Sequence, residues 1–418
     1  MTIGERFALR FLRGEEMIRG HDLLVFAPGP WDDIWRNRHQ LLTLLARENR
    51  VLWVERRIFL RTALCQAHRG ELPWRRFSCP RVEAVRPNLY IYRDPIIPRV
   101  ATRRPWGALT RWIRERSIRV AMYRLQMNAP ILWLFWPGQQ DAIGRYDESL
   151  VVYHVVDEYS GYGGMSEEYR EILRHQEEAL LRRADIVFVT SPALYEAKER
   201  YNQRTYLVPN AVDYEAFQAV VKGDVSPPRI VSDLTRPIIG YVGAINAKID
   251  LSLVSQIARR RPEWSFLMVG PITSEEPEDR VSYSELMALS NVLFVGRVDV
   301  AEVPHYINAC DVCLMPYKVN VWTRHVNSLK LVEYLACGKP VVGTDIAACR
   351  EVEEYVRIAS GAVDFERQIA EALREEASDL VAGRLALAAR NTWEERVEML
   401  SRAIDEVLVD RQGLAKSA

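Results

Sequence analysis

No apolar stretch in this 418-residue chain approaches the roughly 18 residues that a membrane-crossing helix requires. The first 22 residues mix acids with bases and hold no apolar core of the kind a secretory leader carries. Cysteine is scarce, with six residues at 65, 79, 310, 313, 337 and 349 scattered along the chain. That usage excludes a disulfide scaffold and leads to the expectation of a reduced, cytoplasmic compartment. The close pair Cys310 and Cys313 has no second pair and no histidines at ligand spacing. It therefore reads as two buried thiols where a helix runs into an apolar strand, not as a zinc or redox site. Net charge is also absent, with 56 basic residues against 56 acidic ones. No nucleic-acid recognition motif accompanies the bases, so no nucleic-acid partner is expected. No strand end carries a split aspartate pair or a histidine cluster, and Asp32 and Asp33 are adjacent. Neither a bound metal nor a cofactor is expected.

What charge there is lies unevenly. Residues 1–120 hold 24 Arg or Lys against 12 Asp or Glu, and the remainder carries the opposite imbalance. The bases alternate with apolar and aromatic residues, as in "RRIFLRTALCQAHRGELPWRRF" (56–77) and "RRPWGALTRWIRERSIRVAMYRL" (103–125). This pattern suits docking on anionic lipid headgroups, and equally a solvated basic face.

Apolar strand-like runs alternate with helical stretches throughout, which predicts an α/β protein. In the first half the runs are "DLLVFAP" (22–28), "RVLWVER" (50–56), "ILWLFW" (131–136), "LVVYHVV" (150–156) and "IVFVTS" (186–191). Helices are expected at 34–49 and 166–184. The polar, proline-bearing segment 222–237 reads as a linker. A second series follows: "IIGYVGAI" (238–245), "WSFLMVGP" (264–271), "NVLFVGRV" (291–298), "VCLMPY" (312–317) and "PVVGTD" (340–345). Several of these end in Gly or Pro, where a ligand can approach the backbone. The expected division is a first domain over 1–221, the linker, a second domain over 238–383 and a helical tail over 384–418.

In the second half "YVGAI", "LMVGP", "NVLFVGRVDVAEVPHYINACDVCLMPY" and "NSLKLVEYLACGKPVV" occur in order. Together they resemble the donor domain of a GT-B glycosyltransferase. The chain is similar to bacterial transferases that build surface polysaccharides, including teichuronic acid and xanthan-type glucuronosyltransferases. The resemblance implies two Rossmann-like domains facing across a cleft, with a C-terminal helix returning to the first. It also implies a UDP-sugar donor in the second domain and a lipid-linked or growing glycan as acceptor in the first. A protein of this kind would be cytoplasmic and held at the inner face of the cytoplasmic membrane, its basic first domain on the anionic surface.

The resemblance also assigns roles. Asn327 and Ser328 would lie near the phosphates at a helix N-terminus. Lys330 would neutralise the β-phosphate as UDP leaves, and Glu333 would hold the ribose; the plain alternative is an ion pair between these two. Gly243 and Asn246 would offer close backbone approach to phosphate, and Val295, Gly296, Arg297 and Val298 would meet the base. Arg324 and His325 fall beside the donor sugar. Retaining relatives carry a second glutamate eight positions before the ribose one, but here that position is His325. Ala244 stands where such enzymes have an arginine, and Lys248 is out of register with their lysine. These departures favour a single inverting displacement with a protein base. Asp157 is the first candidate, with Glu158 and His154 behind it; the plain alternative is that Asp157 caps the following segment. Gly161, Gly163 and Gly164 would let that loop move or simply turn. After the first strand, Asp32, Asp33, Arg36, Arg38 and His39 are acceptor-site candidates, although either aspartate would also serve as a helix cap. Two rivals stand beside glycosyl transfer: a UDP-sugar 2-epimerase of the same fold, and an inactive glycan-assembly scaffold.

Overall fold

The computed structural model describes residues 17–417, apart from 71, 78–80, 103–104, 224–225, 275 and 376. Cys79 and the first 16 residues therefore lie outside the described residues.

Two sheets form, one in each half. The first contains β1 (Asp22–Phe26), β2 (Arg50–Val54), β3 (Val82–Arg86), β4 (Leu89–Tyr92), β5 (Ile131–Leu134), β6 (Leu150–Val155), β7 (Ile186–Val189) and β8 (Thr205–Leu207), in the order β3-β4-β2-β1-β5-β6-β7-β8. All its pairings are parallel except β3 with β4. The second contains β9 (Ile238–Val242), β10 (Ser265–Val269), β11 (Val292–Gly296), β12 (Val312–Met315), β13 (Val341–Thr344) and β14 (Val356–Ala359), all parallel, in the order β11-β10-β9-β12-β13-β14. This is the expected α/β architecture of two Rossmann-like domains. The ten runs picked out by their continuous apolar character all become strands. Nine of them are buried along most of their length and need no polar alternation, while β11, at the edge of its sheet, is only partly buried. β3, β4, β8 and β14 were not expected: β3 is a half-exposed edge, and the others are only three or four residues long.

Strand order places the site. In the first sheet the chain runs outward in both directions from β1, so the loops after β1 and β5 diverge and leave a crevice at their carboxyl ends. β9 and β12 do the same in the second sheet. Ligands of open α/β sheets bind at such switch points.

Capping side chains set several helix starts in the expected way. Ser166 Oγ accepts from Tyr169 N at 3.3 Å, Ser191 Oγ from Leu194 N at 3.2 Å and Asp250 Oδ1 from Leu253 N at 2.9 Å. The helix expected at 34–49 is shorter, Asn37–Leu45. Its leading residues form a turn instead, because Trp31 N donates to Glu55 Oε1 at 3.0 Å and the Trp31 ring packs edge-on against Trp35 and Trp53. Asp32 and Asp33 are thus outside the helix, and neither caps it.

The last helix, Trp393–Ser417, leaves the second domain and packs on the first. Trp393, Val397, Leu400, Ala403, Ile404 and Val407 share a buried cluster with Leu41, Leu45, Trp53 and Trp133. The crossing is tied at Val212, whose N–H donates to Asn391 O at 2.9 Å and which bridges Thr392. Cys310, Cys313, Cys337 and Cys349 are buried in the second domain. Cys310 Sγ would lie 2.1 Å from a Cβ at residue 240, so Gly240 makes room for that thiol.

Candidate functional site

A cleft of about 760 Å³ opens between the two switch points. The first domain contributes the loop after β1, Trp136 after β5, and Asp157 with Tyr159, Tyr162 and Met165 after β6. The second contributes Gly243, Asn246 and Lys248 after β9, Gly270 after β10, Arg297 and Val298 after β11, Tyr317 after β12, and Asn327, Ser328, Lys330 and Glu333.

Two glycines let the second-domain wall close up. Gly243 has φ +143°, and a Cβ there would stand 1.8 Å from Lys330 Cε. Gly270 has φ +133°, and its Cβ would stand 2.1 Å from Gly243 O. Only a residue without a Cβ fits either position. The helix Leu329–Ala336 is pinned to the end of β9 by Tyr334, whose hydroxyl accepts from Val242 N at 2.9 Å and donates to Val242 O at 3.2 Å. Lys330 and Glu333 therefore ride on a fixed element.

Those two charges do not pair. Among the described residues no carboxylate forms an ion pair with Lys330; its ammonium sits 5.6 Å from the centre of the Tyr241 ring. Burial pushes the Glu333 carboxyl up to about 7, and the nearby Lys330 charge only partly opposes this. Burial also raises the Tyr317 phenol, but Lys330 and Lys248 together outweigh it and hold that group below its ordinary value. The floor of the cleft is electropositive, apart from one poised carboxyl.

Across from them Asp157 leaves β6 and is held by three partners. Its Oδ2 accepts from Tyr162 OH at 3.0 Å. Its Oδ1 accepts from Trp322 Nε1 at 3.2 Å and from Lys248 Nζ at 3.4 Å. Lys248 also lies 4.5 Å from the Trp322 ring centre. None of these contacts caps a helix, so the plain capping reading of Asp157 does not describe it.

Several sequence-predicted residues lie elsewhere. His154 is fully buried in β6 between Phe135, Trp133 and Phe188, neither ring nitrogen has a partner, and burial lowers it to about 3. Side chains alternate along a strand, and this one points into the core, so it is no base in the cleft. Glu158 is turned away as well, into an ion pair with Lys198 at 2.8 Å; that lysine also holds Glu177 at 2.8 Å, which accepts from Tyr153 OH at 3.0 Å. His39 is buried in the aromatic cluster, with Nδ1 accepting from Arg36 N at 3.0 Å, and burial lowers it to about 3. Arg324 and His325 stay outside the cleft lining: Arg324 is exposed, and His325 uses Nδ1 on Val321 O at 2.8 Å. Val295 packs on the second-domain core, and Gly296 O is spent on Gly270 N at 2.8 Å, so neither lines the cleft. Asp32 pairs with Arg93 at 3.0 Å.

The remaining predicted residues gather. Asn327 binds the first domain directly, its Oδ1 accepting from Asn210 N and its O from Asn210 Nδ2, both at 2.8 Å. Ser328 is buried 3.5 Å from Tyr317 OH. Arg297 crosses the cleft to donate to the carbonyls of Asp32 and Asp33 at 3.0 and 3.1 Å; it straps one domain to the other. Gly161 lies against Trp322 and Gly163 against Glu276, so the glycine-rich loop abuts the second domain. Lys248, Trp322 and Tyr162 were not expected. Lys248 was set aside by register, but the loop 243–250 folds back, with Ile249 N on Asn246 O at 2.9 Å, and returns the lysine to the cleft.

Residues 236–379 match the family described as glycosyl transferases group 1. TuaH of Bacillus subtilis strain 168, named for a teichuronic acid biosynthesis glycosyltransferase, is 32% identical over 233 residues, 53% of this chain. The match spans 57% of that relative's length. HepE of Anabaena, solved in complex with UDP, superposes with a TM-score of 0.63 at 13% identity, over 92% of this chain and all of that one. Sucrose-phosphate synthase of Thermosynechococcus elongatus superposes with a TM-score of 0.61 at 18% identity, over 95% of this chain and 98% of that one. The fold is GT-B.

Proposed function

We propose, for a chain whose residues 236–379 match the group 1 glycosyl transferase family, that it moves a sugar from a UDP-sugar to a hydroxyl of a lipid-linked or growing surface glycan, with inversion. The donor nucleotide lies on the second domain. Lys330 meets the β-phosphate, where negative charge grows as the C1–O bond of the donor breaks. Glu333 accepts from the ribose hydroxyls, and Gly243 brings the backbone close to the diphosphate. Asp157 takes the proton of the acceptor hydroxyl as that oxygen bonds to C1. The observation that carries the reading is a Lys330 with no carboxylate ion pair among the described residues and a poised Glu333, both lining one cleft with a positioned carboxylate, Asp157. HepE, of the same fold, was solved with UDP and also with UDP and glucose, which supports the choice of donor. Glucuronic acid or another hexose is the transferred sugar.

The acceptor is proposed to arrive at a membrane surface. On the helix Gly107–Arg124, Leu109, Trp112, Ile113, Val120 and Tyr123 recur at helical spacing and are exposed, with Tyr123 at 84%. Trp106 at 59%, next to this helix, and Trp74 at 64%, in the other basic stretch, are further exposed indoles. Exposed aromatics among arginines suit an anionic interface. No helix among the described residues is long and apolar enough to cross a membrane.

The test is turnover of a panel of UDP-sugars with lipid-linked glycan acceptors, followed by product stereochemistry. Acceptor-dependent UDP release that vanishes in Asp157→Asn and Lys330→Ala is expected. A free UDP-sugar isomer formed without acceptor points to the epimerase, and no turnover of any nucleotide sugar points to a scaffold.

A further inference from the structure

On the first-domain wall of the cleft, Arg38 is 5% exposed. Its Nε has no hydrogen-bond partner, and among the described residues no carboxylate forms an ion pair with it. An arginine in that state is unusual, because the cost of burying a charge is ordinarily met by pairing. Asp33 is the nearest acid, and both side chains flank Gly29: a Cβ there would lie 3.6 Å from Asp33 Oδ2 and 3.8 Å from Arg38 Nη2. Burial, reinforced by Arg36, pulls the guanidinium down to about 10, and Asp33 only partly offsets this. Even so, the group stays charged near neutrality.

Its surroundings line the same cleft. Arg36 and Arg56 are exposed at the rim, and Trp136, Tyr162 and Tyr169 supply ring faces. Aromatic faces suit the C–H faces of a sugar, and a planar guanidinium suits two oxygens of a carboxylate or phosphate. Of the other cations of the cleft, Lys248 is on Asp157, Arg297 is on two backbone carbonyls, and Lys330 lies on the donor-side wall.

We propose that the acceptor is an anionic sugar, and that Arg38, with Arg36 and Arg56 at the rim, binds its carboxylate or phosphate on the first-domain wall. This rests on the glycosyl-transfer reading and names the acceptor's chemical class. Filling the site supplies the counter-charge that the buried guanidinium lacks.

The experiment measures calorimetric binding of three probes, methyl glucoside, methyl glucuronide and glucose 6-phosphate, to the full chain saturated with UDP. Wild type is expected to bind one anionic sugar about tenfold or more tightly than the neutral one, the scale of a charge-assisted hydrogen bond. Glucuronide preference identifies a carboxylate, and glucose 6-phosphate preference a phosphate. Arg38→Gln is expected to remove the preference while UDP affinity, read in the same titration, stays within about twofold. Arg38→Lys, which keeps the charge but loses the fork, is expected to fall between. Equal binding of all three probes by wild type overturns the proposal whether or not the variants fold. So does a preference that survives Arg38→Gln, or a selective loss of UDP affinity in that variant. Absence of UDP binding to wild type would instead remove the transferase reading, leaving the probe preference to be read without nucleotide.

Discussion

The carboxylate of Asp157 and the ammonium of Lys248 meet across the cleft at 3.4 Å, one group from each domain. Both are largely shielded, at 19% and 14% side-chain exposure, so the pair is more than a surface ion pair and couples the candidate base to the donor-side wall. Asp157→Asn is expected to lower kcat on the order of 10²- to 10⁴-fold, the range for loss of a general base. Lys248→Ala is expected to cost less, and the double variant to fall short of the sum of the two, with a coupling of roughly 0.5–3 kcal/mol. Strict additivity in a double-mutant cycle on kcat would mean that the pair does not act together.

Lys330 and Gly243 form a second linked pair. Lys330→Ala is expected to lower kcat on the order of 10²- to 10³-fold, as for loss of a group that stabilises developing negative charge. Gly243→Ala leaves the lysine in place chemically but puts a Cβ where its Cε now lies, and the required φ is one that alanine rarely adopts. UDP affinity measured by calorimetry is expected to fall in both variants. Unchanged affinity in Gly243→Ala would show that the phosphate does not approach this turn.

Glu333 predicts a pH dependence whose sign can be worked out. Its folded value is raised to about 7, so in the free protein stability is present at low pH and is lost as pH rises from the unfolded value toward 7. Ribose hydroxyls that donate to the carboxylate favour its ionised form. UDP binding then releases a proton, and affinity rises with pH through about 7. Titrations at several pH values should show this rise in wild type and a flat response in Glu333→Gln, with the variant more stable than wild type above pH 7.

Acid sensitivity should come from the two buried histidines and not from the site. His154 and His39 are both lowered to about 3, so each stays neutral in the fold while the unfolded chain takes up protons below about 6.5. Each steepens the loss of stability between those values by about 1.4 kcal/mol per pH unit. His154→Leu is expected to retain turnover at neutral pH and to flatten that slope in denaturant titrations. A large loss of turnover in a folded His154→Leu protein would return the residue to the candidate bases.

Membrane docking has its own signature. Co-sedimentation with vesicles rich in anionic lipid is expected to be strong at low salt and to weaken as salt screens the arginines. Trp112→Ser with Tyr123→Ser should reduce it further. Binding indifferent to both salt and these substitutions would locate the attachment elsewhere.

Sequence pattern revealed the parts of this molecule that depend on periodicity. Buried strands announce themselves by uninterrupted apolar runs, and Lys330 and Glu333 by their place in an ordered series of turns. It misjudged side-chain direction at the carboxyl end of β6, where three neighbouring candidates diverge. His154 enters the core, Glu158 turns to Lys198, and Asp157 alone faces the cleft. One residue of alternation decides that, and no composition signal marks it. Lys248 was hidden for a different reason, since a lysine in a folded-back loop gains its role from contacts 91 residues away in the chain. Arg297 was assigned to the nucleobase by position, yet its reach is long enough to cross to Asp32 and Asp33.

The chain passes between the halves twice, once where Ala211 of the first-domain core gives way to Val212 and Phe217 of the second, earlier than the linker expected at 222–237, and once near 390–392, and the two passages are stitched together at Val212. Two nearby tethers allow rotation about the line joining them but oppose sliding or separation, so opening of the cleft should resemble a book turning on its spine. The straps across the cleft, Arg297 on Asp32 and Asp33 and Lys248 on Asp157, would then part as substrate enters. A fragment carrying only the second half would need to stop before Trp393. Beyond that point the helix has lost the partners that bury Val397, Leu400 and Ile404, and it would present an apolar stripe to solvent.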